Sequence, residues 1–159
     1  MNGPQTLAAQ VGAILRDRQL RVATAESCTG GLIASYLTDV SGSSAYMLGG
    51  IVAYSNEAKM QFLNVQESTL VAVGAVSEQV AHEMAHGALA AFGADLALSV
   101  TGIAGPSGGT PEKPVGLTYI GLAAAQDTLV ARFVWPHDRY GNKVASAEAA
   151  LQMVLEHLS

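Results

Sequence analysis

With a single cysteine, Cys28, the chain can form no internal disulfide, and that scarcity fits a reducing, cytoplasmic setting. Charge is sparse too: only 13% of the 159 residues are charged, the net charge is −5, and the eight lysines and arginines are scattered. Nucleic-acid binders carry a basic patch or stripe, so nucleic acid is not expected as a partner. No apolar run reaches the roughly 18 residues that a membrane-spanning helix needs. The N-terminal MNGPQTLAAQ has no basic start followed by an apolar stretch, so a signal peptide is not expected either. Low charge does not prevent anion binding, which needs only one or two basic side chains or the N–H groups at a helix start. Against these scarcities stands an apolar half of the composition and a positive mean hydropathy. Both exclude disorder and predict one compact domain, with part of its surface covered by further copies in a homo-oligomer, a dimer or larger.

Periodicity divides the chain into alternating elements. Leu7, Val11, Ile14 and Leu15 share one face of a helix over 5–19, and LRVATA (20–25) reads as a short strand. A turn over 26–31 leads to a helix carrying Leu32, Ile33, Tyr36, Leu37 and Val40. SGSS (41–44) is a loop by composition, 46–54 a buried strand, and 56–63 a short helix. Ser77 is placed to cap a helix that ends at Phe92 before Gly93. A strand over 95–101, a glycine- and proline-rich loop over 102–114, a hairpin around Gln126-Asp127 and a helix over 139–157 complete the chain. The pattern predicts a single-domain α/β fold, with a mixed sheet and helices on both faces.

In such folds ligands gather where strands hand over to loops. Three handovers carry chemistry. Glu26-Ser27-Cys28-Thr29-Gly30-Gly31 places hydroxyls at a strand-to-helix turn, where Ser27 is either a nucleophile beside helix N–H groups or a plain cap. Tyr54-Ser55-Asn56-Glu57-Ala58-Lys59 offers a lysine that is either solvated or, if desolvated beside a serine, a general base. Thr101 to Thr110 is rich in glycine without the G-K-[ST] of a phosphate-binding P-loop, so it is either a ligand-lining or a flexible loop.

AESCTGG, the GG-x-V-x-Y-x-N-x-x-K run (49–59), GAVS (74–77) and TGIAGPSGGTPEKPVG (101–116) together resemble the CinA C-terminal domain family, over about residues 6–157. The best-known members of that family are nicotinamide-nucleotide amidohydrolases. The resemblance implies a three-layer α/β/α sandwich and hydrolysis of nicotinamide mononucleotide (NMN) to nicotinate mononucleotide and ammonia, in pyridine-nucleotide recycling, with no metal and no cofactor. It implies that Ser27 attacks the carboxamide, that Lys59 takes its proton and that Tyr54 orients or relays. Thr29, Gly30 and Gly31 would supply backbone donors. Asn56, Thr101, Gly102, Gly108 and Gly109 would line the nucleotide site, and Arg139 would meet the phosphate. Two departures bear on that phosphate: His137 stands where the family has glycine, and Lys143 where a second arginine is common. Lysine lacks arginine's bidentate fork.

Two other motifs compete. His82-Glu83-Met84-Ala85-His86 matches the H-E-x-x-H zinc signature. However, Val80, Met84 and Ala88 mark the core face, and the histidines fall about 200° from it, beside Gln79 and Glu83 on a face that reads as solvated. Leu89 holds the expected glycine position and no third ligand follows, so no zinc site is expected. Cys28 has no histidine in the neighbouring motifs and reads as a buried structural thiol. The alternative to an amidohydrolase is a non-catalytic nucleotide-binding module of the same fold. Intact Ser27, Tyr54 and Lys59 favour the enzyme.

Overall fold

A computed structural model describes residues 3–159. Among them the elements run α1 (Pro4–Asp17), β1 (Val22–Glu26), α2 (Leu32–Thr38), β2 (Met47–Val52), α3 (Asn56–Leu63), α4 (Glu67–Val73), α5 (Glu78–Phe92), β3 (Leu96–Gly102), β4 (Leu117–Ala124), β5 (Thr128–Val134) and α6 (Arg139–Leu158). Local chemistry sets most boundaries. Pro4 opens α1, where its missing N–H costs nothing. Ser55, Ser77 and Asp138 each cap a helix, accepting from Ala58 N at 3.0 Å, Val80 N at 3.3 Å and Gly141 N at 2.8 Å. Each such cap contributes about 1 kcal/mol. Gly93 ends α5 in the left-handed region, as its sequence position predicts.

Helix α4 is the element that periodicity does not predict, and the reason is tertiary. Its N-cap, Gln66, supplies no side-chain cap. Glu83, on α5, does so from outside, accepting from Gln66 N at 2.8 Å and Thr69 Oγ1 at 2.7 Å. Glu83 is therefore half-buried and engaged, which corrects its expected place on a solvated face. Glu26 is likewise the last residue of β1 and not part of the turn.

The sheet order is β2-β1-β3-β4-β5, with β1 parallel to both β2 and β3 and the pairs β3–β4 and β4–β5 antiparallel. Helices α1, α2 and α6 cover one face, and α5, flanked by α3 and α4, covers the other. This is the expected three-layer sandwich. Alternation along β1 supplies both cores: Val22 packs with Leu98 and Val100 beneath α1 and α6, whereas Ala25 packs with Ala97, Met84 and Ala88 beneath α5. After β1 the chain leaves through α2 on one face, and after β2 through α3 to α5 on the other. The carboxyl ends of β1, β2 and β3 thus form a topological switch point, the usual place for a ligand in an open α/β sheet. Among the described residues no helix is long and apolar enough to cross a membrane.

Candidate active site

Ser27 prolongs β1 by one step, because its N–H still bonds Val100 O at 2.9 Å. The alternation that sends Glu26 toward α2 therefore sends Ser27 toward α3. Helix α3 begins three residues after Ala53, whose N–H is held by Glu26 O at 2.9 Å, and its first turn carries Lys59 back over the end of β1. Lys59 Nζ lies 3.0 Å from Ser27 Oγ and 3.1 Å from Tyr54 O. Ser27 is 8% exposed and Lys59 2%. Both partners of the amine are neutral. Burial disfavours its ammonium form and lowers the Lys59 pKa, an effect that negative charge on Cys28 would oppose. As the pair stands, the Lys59 amine donates to both oxygens, Ser27 Oγ and Tyr54 O. Of the two local readings of each residue, a solvated lysine and a capping serine are thereby excluded.

Cys28 stands next to this pair, but burial, the largest influence, pushes its thiol up to about 12. It stays protonated at neutral pH, consistent with a structural thiol. Glycines at 30 and 31 adopt φ of +62° and +102°, conformations that side chains resist, and they turn the chain sharply from β1 into α2. Within the turn, the Gly30 N–H bonds Ser27 O at 3.0 Å, and the Thr29 and Gly31 amides carry no such bond. The Thr29 and Gly31 amides thus keep their donor capacity within this turn.

A second cluster lies beside the first. Arg139, opening α6, donates to Gly105 O at 2.7 Å and to Tyr54 Oη at 3.0 Å. Tyr54 thus touches the site twice: its carbonyl orients Lys59, and its exposed hydroxyl meets Arg139. One turn further along α6, Lys143 reaches over the glycine turn, where a Cβ added at Gly30 would lie 3.6 Å from its Nζ. A 470 Å³ cavity lined by Ala104, Pro106, Val115, His137, Arg139 and Tyr140 opens here.

Other expected residues sit differently. The Thr101 hydroxyl donates to Ala75 O at 2.8 Å and ties β3 to the link between α4 and α5. Asn56 is exposed at the first position of α3. Gly102 is packed: a Cβ there would meet Leu117 O at 2.8 Å and Cys28 Sγ at 3.2 Å. Gly108 and Gly109 are exposed in the loop, near Ile103 and Val115 respectively. None of these five is hydrogen-bonded to Ser27, Lys59 or Arg139.

A larger cavity, 730 Å³, lies elsewhere, against α3 and α5, with His82, Glu83 and His86 in its wall. Two of its polar side chains are engaged in structure: Glu83 caps α4, and His86 Nε2 is 2.6 Å from Thr128 Oγ1. Among the described residues no three His, Cys, Asp or Glu side chains are grouped to hold a metal.

Two residues without a local signature shape the site. Glu26, 1% exposed, accepts from Thr29 Oγ1 at 2.6 Å and from the N–H groups of Ile33 and Ala34, each at 3.0 Å. Asn142, 2% exposed, donates to Ala104 O at 2.9 Å and accepts from His137 N at 3.0 Å, so it joins the glycine-rich loop to the segment carrying Arg139. An asparagine inside a helix is the one clue to the second, because it is a poor helix former that usually has a partner.

The profile of the CinA C-terminal domain family matches residues 4–158. Among curated proteins, the chain is 51% identical to the nicotinamide-nucleotide amidohydrolase PncC of Enterobacter agglomerans, covering 94% of this chain and 92% of that one. It is 53% identical to a CinA-like protein of Chlorobaculum tepidum over 96% of its own length, but spans only 37% of that protein. Other curated relatives are similarly longer, and the chain spans 36% to 38% of four more. Among solved structures, the competence/damage inducible protein CihA of Agrobacterium tumefaciens superposes with a TM-score of 0.95 at 43% identity, over 99% of this chain and 96% of that one. The competence damage-inducible protein A of Klebsiella pneumoniae superposes with a TM-score of 0.96 at 36% identity, over 99% and 98%.

Proposed function

The chain belongs to the CinA C-terminal domain family, and on that premise we propose that it is a metal-independent amidohydrolase that converts NMN to nicotinate mononucleotide and ammonia, in pyridine-nucleotide recycling. The observation that carries the reading is the buried 3.0 Å contact between Lys59 Nζ and Ser27 Oγ. A pure binding module has no use for an uncompensated lysine buried against a hydroxyl. The similarity to an amidohydrolase of nearly the same length supports the substrate class.

Ser27 Oγ attacks the carboxamide carbon while its proton passes to Lys59 Nζ. The carbonyl oxygen becomes an oxyanion met by the Thr29 and Gly31 amides. Lys59 then hands its proton to the departing amine, and ammonia leaves an ester on Ser27. Water attacks that ester, Lys59 takes the water's proton, and the serine hydroxyl re-forms as the nicotinate product departs. Arg139, with Lys143 beside it, holds the phosphate. Homo-oligomerisation belongs to the same proposal, and light scattering on the purified protein checks it. The test of the substrate is ammonia release from NMN and from nicotinamide riboside, which lacks the phosphate. Strong preference for NMN is expected. Equal turnover would refute the phosphate site, and no ammonia from either would refute the activity.

A further inference from the structure

We infer that Glu26, which touches none of the reacting atoms, is the positioning residue of the nucleophile, an inference that rests on the catalytic reading of Ser27 and Lys59. Two adjacent glycines make the turn after Ser27 possible, yet glycine is also the residue that gives a backbone most freedom. Left alone, Gly30 and Gly31 would let the Thr29 and Gly31 amides drift. The Glu26 carboxylate brackets them, with the Thr29 hydroxyl held on one side of the pair and the Ile33 and Ala34 amides on the other. Its own backbone is fixed on both sides, paired with Val52 on β2 and Val100 on β3. The side chain therefore transfers the rigidity of the sheet to the turn. Ser27 lies between these anchors, facing Lys59. Only a carboxylate serves all three donors, because both its oxygens accept and neither donates. A glutamine would turn an NH₂ toward a hydroxyl or an amide N–H.

The experiment uses the full chain and a serine-directed reagent, phenylmethylsulfonyl fluoride, with NMN hydrolysis measured in parallel. In labelling, Ser27 Oγ bonds to sulfur, fluoride leaves, and the serine proton goes to Lys59. The variants are Glu26→Gln and Thr29→Val, with Thr29→Ser as the rescue. Misplaced catalytic groups cost up to about 100-fold. Glu26→Gln is expected to slow labelling and kcat about 10- to 100-fold, with KM for NMN within about threefold because Arg139 is untouched. Thr29→Val is expected to slow labelling as well, and Thr29→Ser to recover most of that loss. The pH midpoint of labelling, which Lys59 sets, stays in place. A merely structural role would reduce the labelled fraction while leaving the rate constant of the folded remainder at the wild-type value, and that result overturns the inference. So does wild-type labelling in Thr29→Val, which decides the matter if Glu26→Gln does not fold. Labelling of wild-type Ser27 without ammonia from NMN would defeat the proposed substrate alone, and Glu26 would still be judged by the labelling rates. Absence of both overturns the inference with its premise.

Discussion

Replacing Lys59 with methionine removes the amine while nearly preserving the length and volume of the side chain, so the two consequences of a buried lysine can be separated. The first is kinetic. With the amine gone, Ser27 Oγ has lost the base 3.0 Å away and keeps no other titratable partner. General-base assistance is worth about 10²- to 10⁴-fold, so kcat should fall on the order of 10³-fold. Because burial lowers the Lys59 pKa, the wild-type rate should rise with pH as the amine deprotonates, below the 10.5 of a free lysine, and Lys59→Met should lack that limb. The second consequence is thermodynamic and has the opposite sign. Between the lowered native pKa and 10.5 the unfolded chain binds more protons than the native one. Stability therefore rises with pH through that window, is complete above it, and is reduced below it. Each tenfold loss of proton affinity on burial corresponds to about 1.4 kcal/mol missing at pH 7. Methionine incurs no such penalty. Lys59→Met should therefore be more stable than wild type at pH 7, with a Tm higher by about 2–4 °C for each kcal/mol recovered, and the difference should narrow as the pH approaches 10.5. Thermal melts across pH, beside initial rates of ammonia release, read both effects. A variant that is inactive and less stable at every pH would show that the lysine is a structural anchor, and the base assignment would fail.

Other outcomes follow from the same geometry. Arg139→Ala should raise KM for NMN about 10- to 100-fold with kcat nearly kept, since charged hydrogen bonds contribute about 1.5–3 kcal/mol and phosphate binding is common to ground and transition states; a fall in kcat alone would refute the phosphate role. Chelators should not change the rate, and replacing His82 and His86 together with alanine should leave kcat within about a few-fold, because nothing in the proposed steps uses a metal. Activity lost to a chelator and restored by zinc would contradict this. Iodoacetamide at pH 8 should leave the enzyme active, because Cys28 is a buried thiol held near 12, and rapid inactivation with label on Cys28 would refute that protonation state.

Much of the fold was legible because local signals and the final packing agree. Ser77 and Gly93 bound α5 in sequence and in space, and the apolar faces of α1 and α5 are the faces that are buried. Helix α4 was not legible, since the carboxylate that completes it comes from a different helix. The site divides in the same way. Ser27 and Lys59 stand at strand-to-helix handovers, where the sheet topology brings them together. Thr101, expected to line the nucleotide site, has its hydroxyl bonded to Ala75 O, a tertiary tie that no local rule predicts. Glu26 left no trace in local rules because helix caps are sought within three residues of the helix start, whereas this one acts from the end of the preceding strand. The two contacts of Tyr54, one through its backbone and one through its hydroxyl, separate only in the folded structure.

The central claim is that Ser27 becomes covalently attached to the substrate. The most direct measurement is acid quenching of the enzyme during turnover of NMN, followed by mass spectrometry of the peptide containing Ser27. A nicotinate-mononucleotide ester on Ser27, absent from Ser27→Ala, together with loss of ammonia release in that variant, is the predicted result. Near-normal ammonia release by Ser27→Ala would mean that water attacks the amide directly, and the covalent account would be wrong.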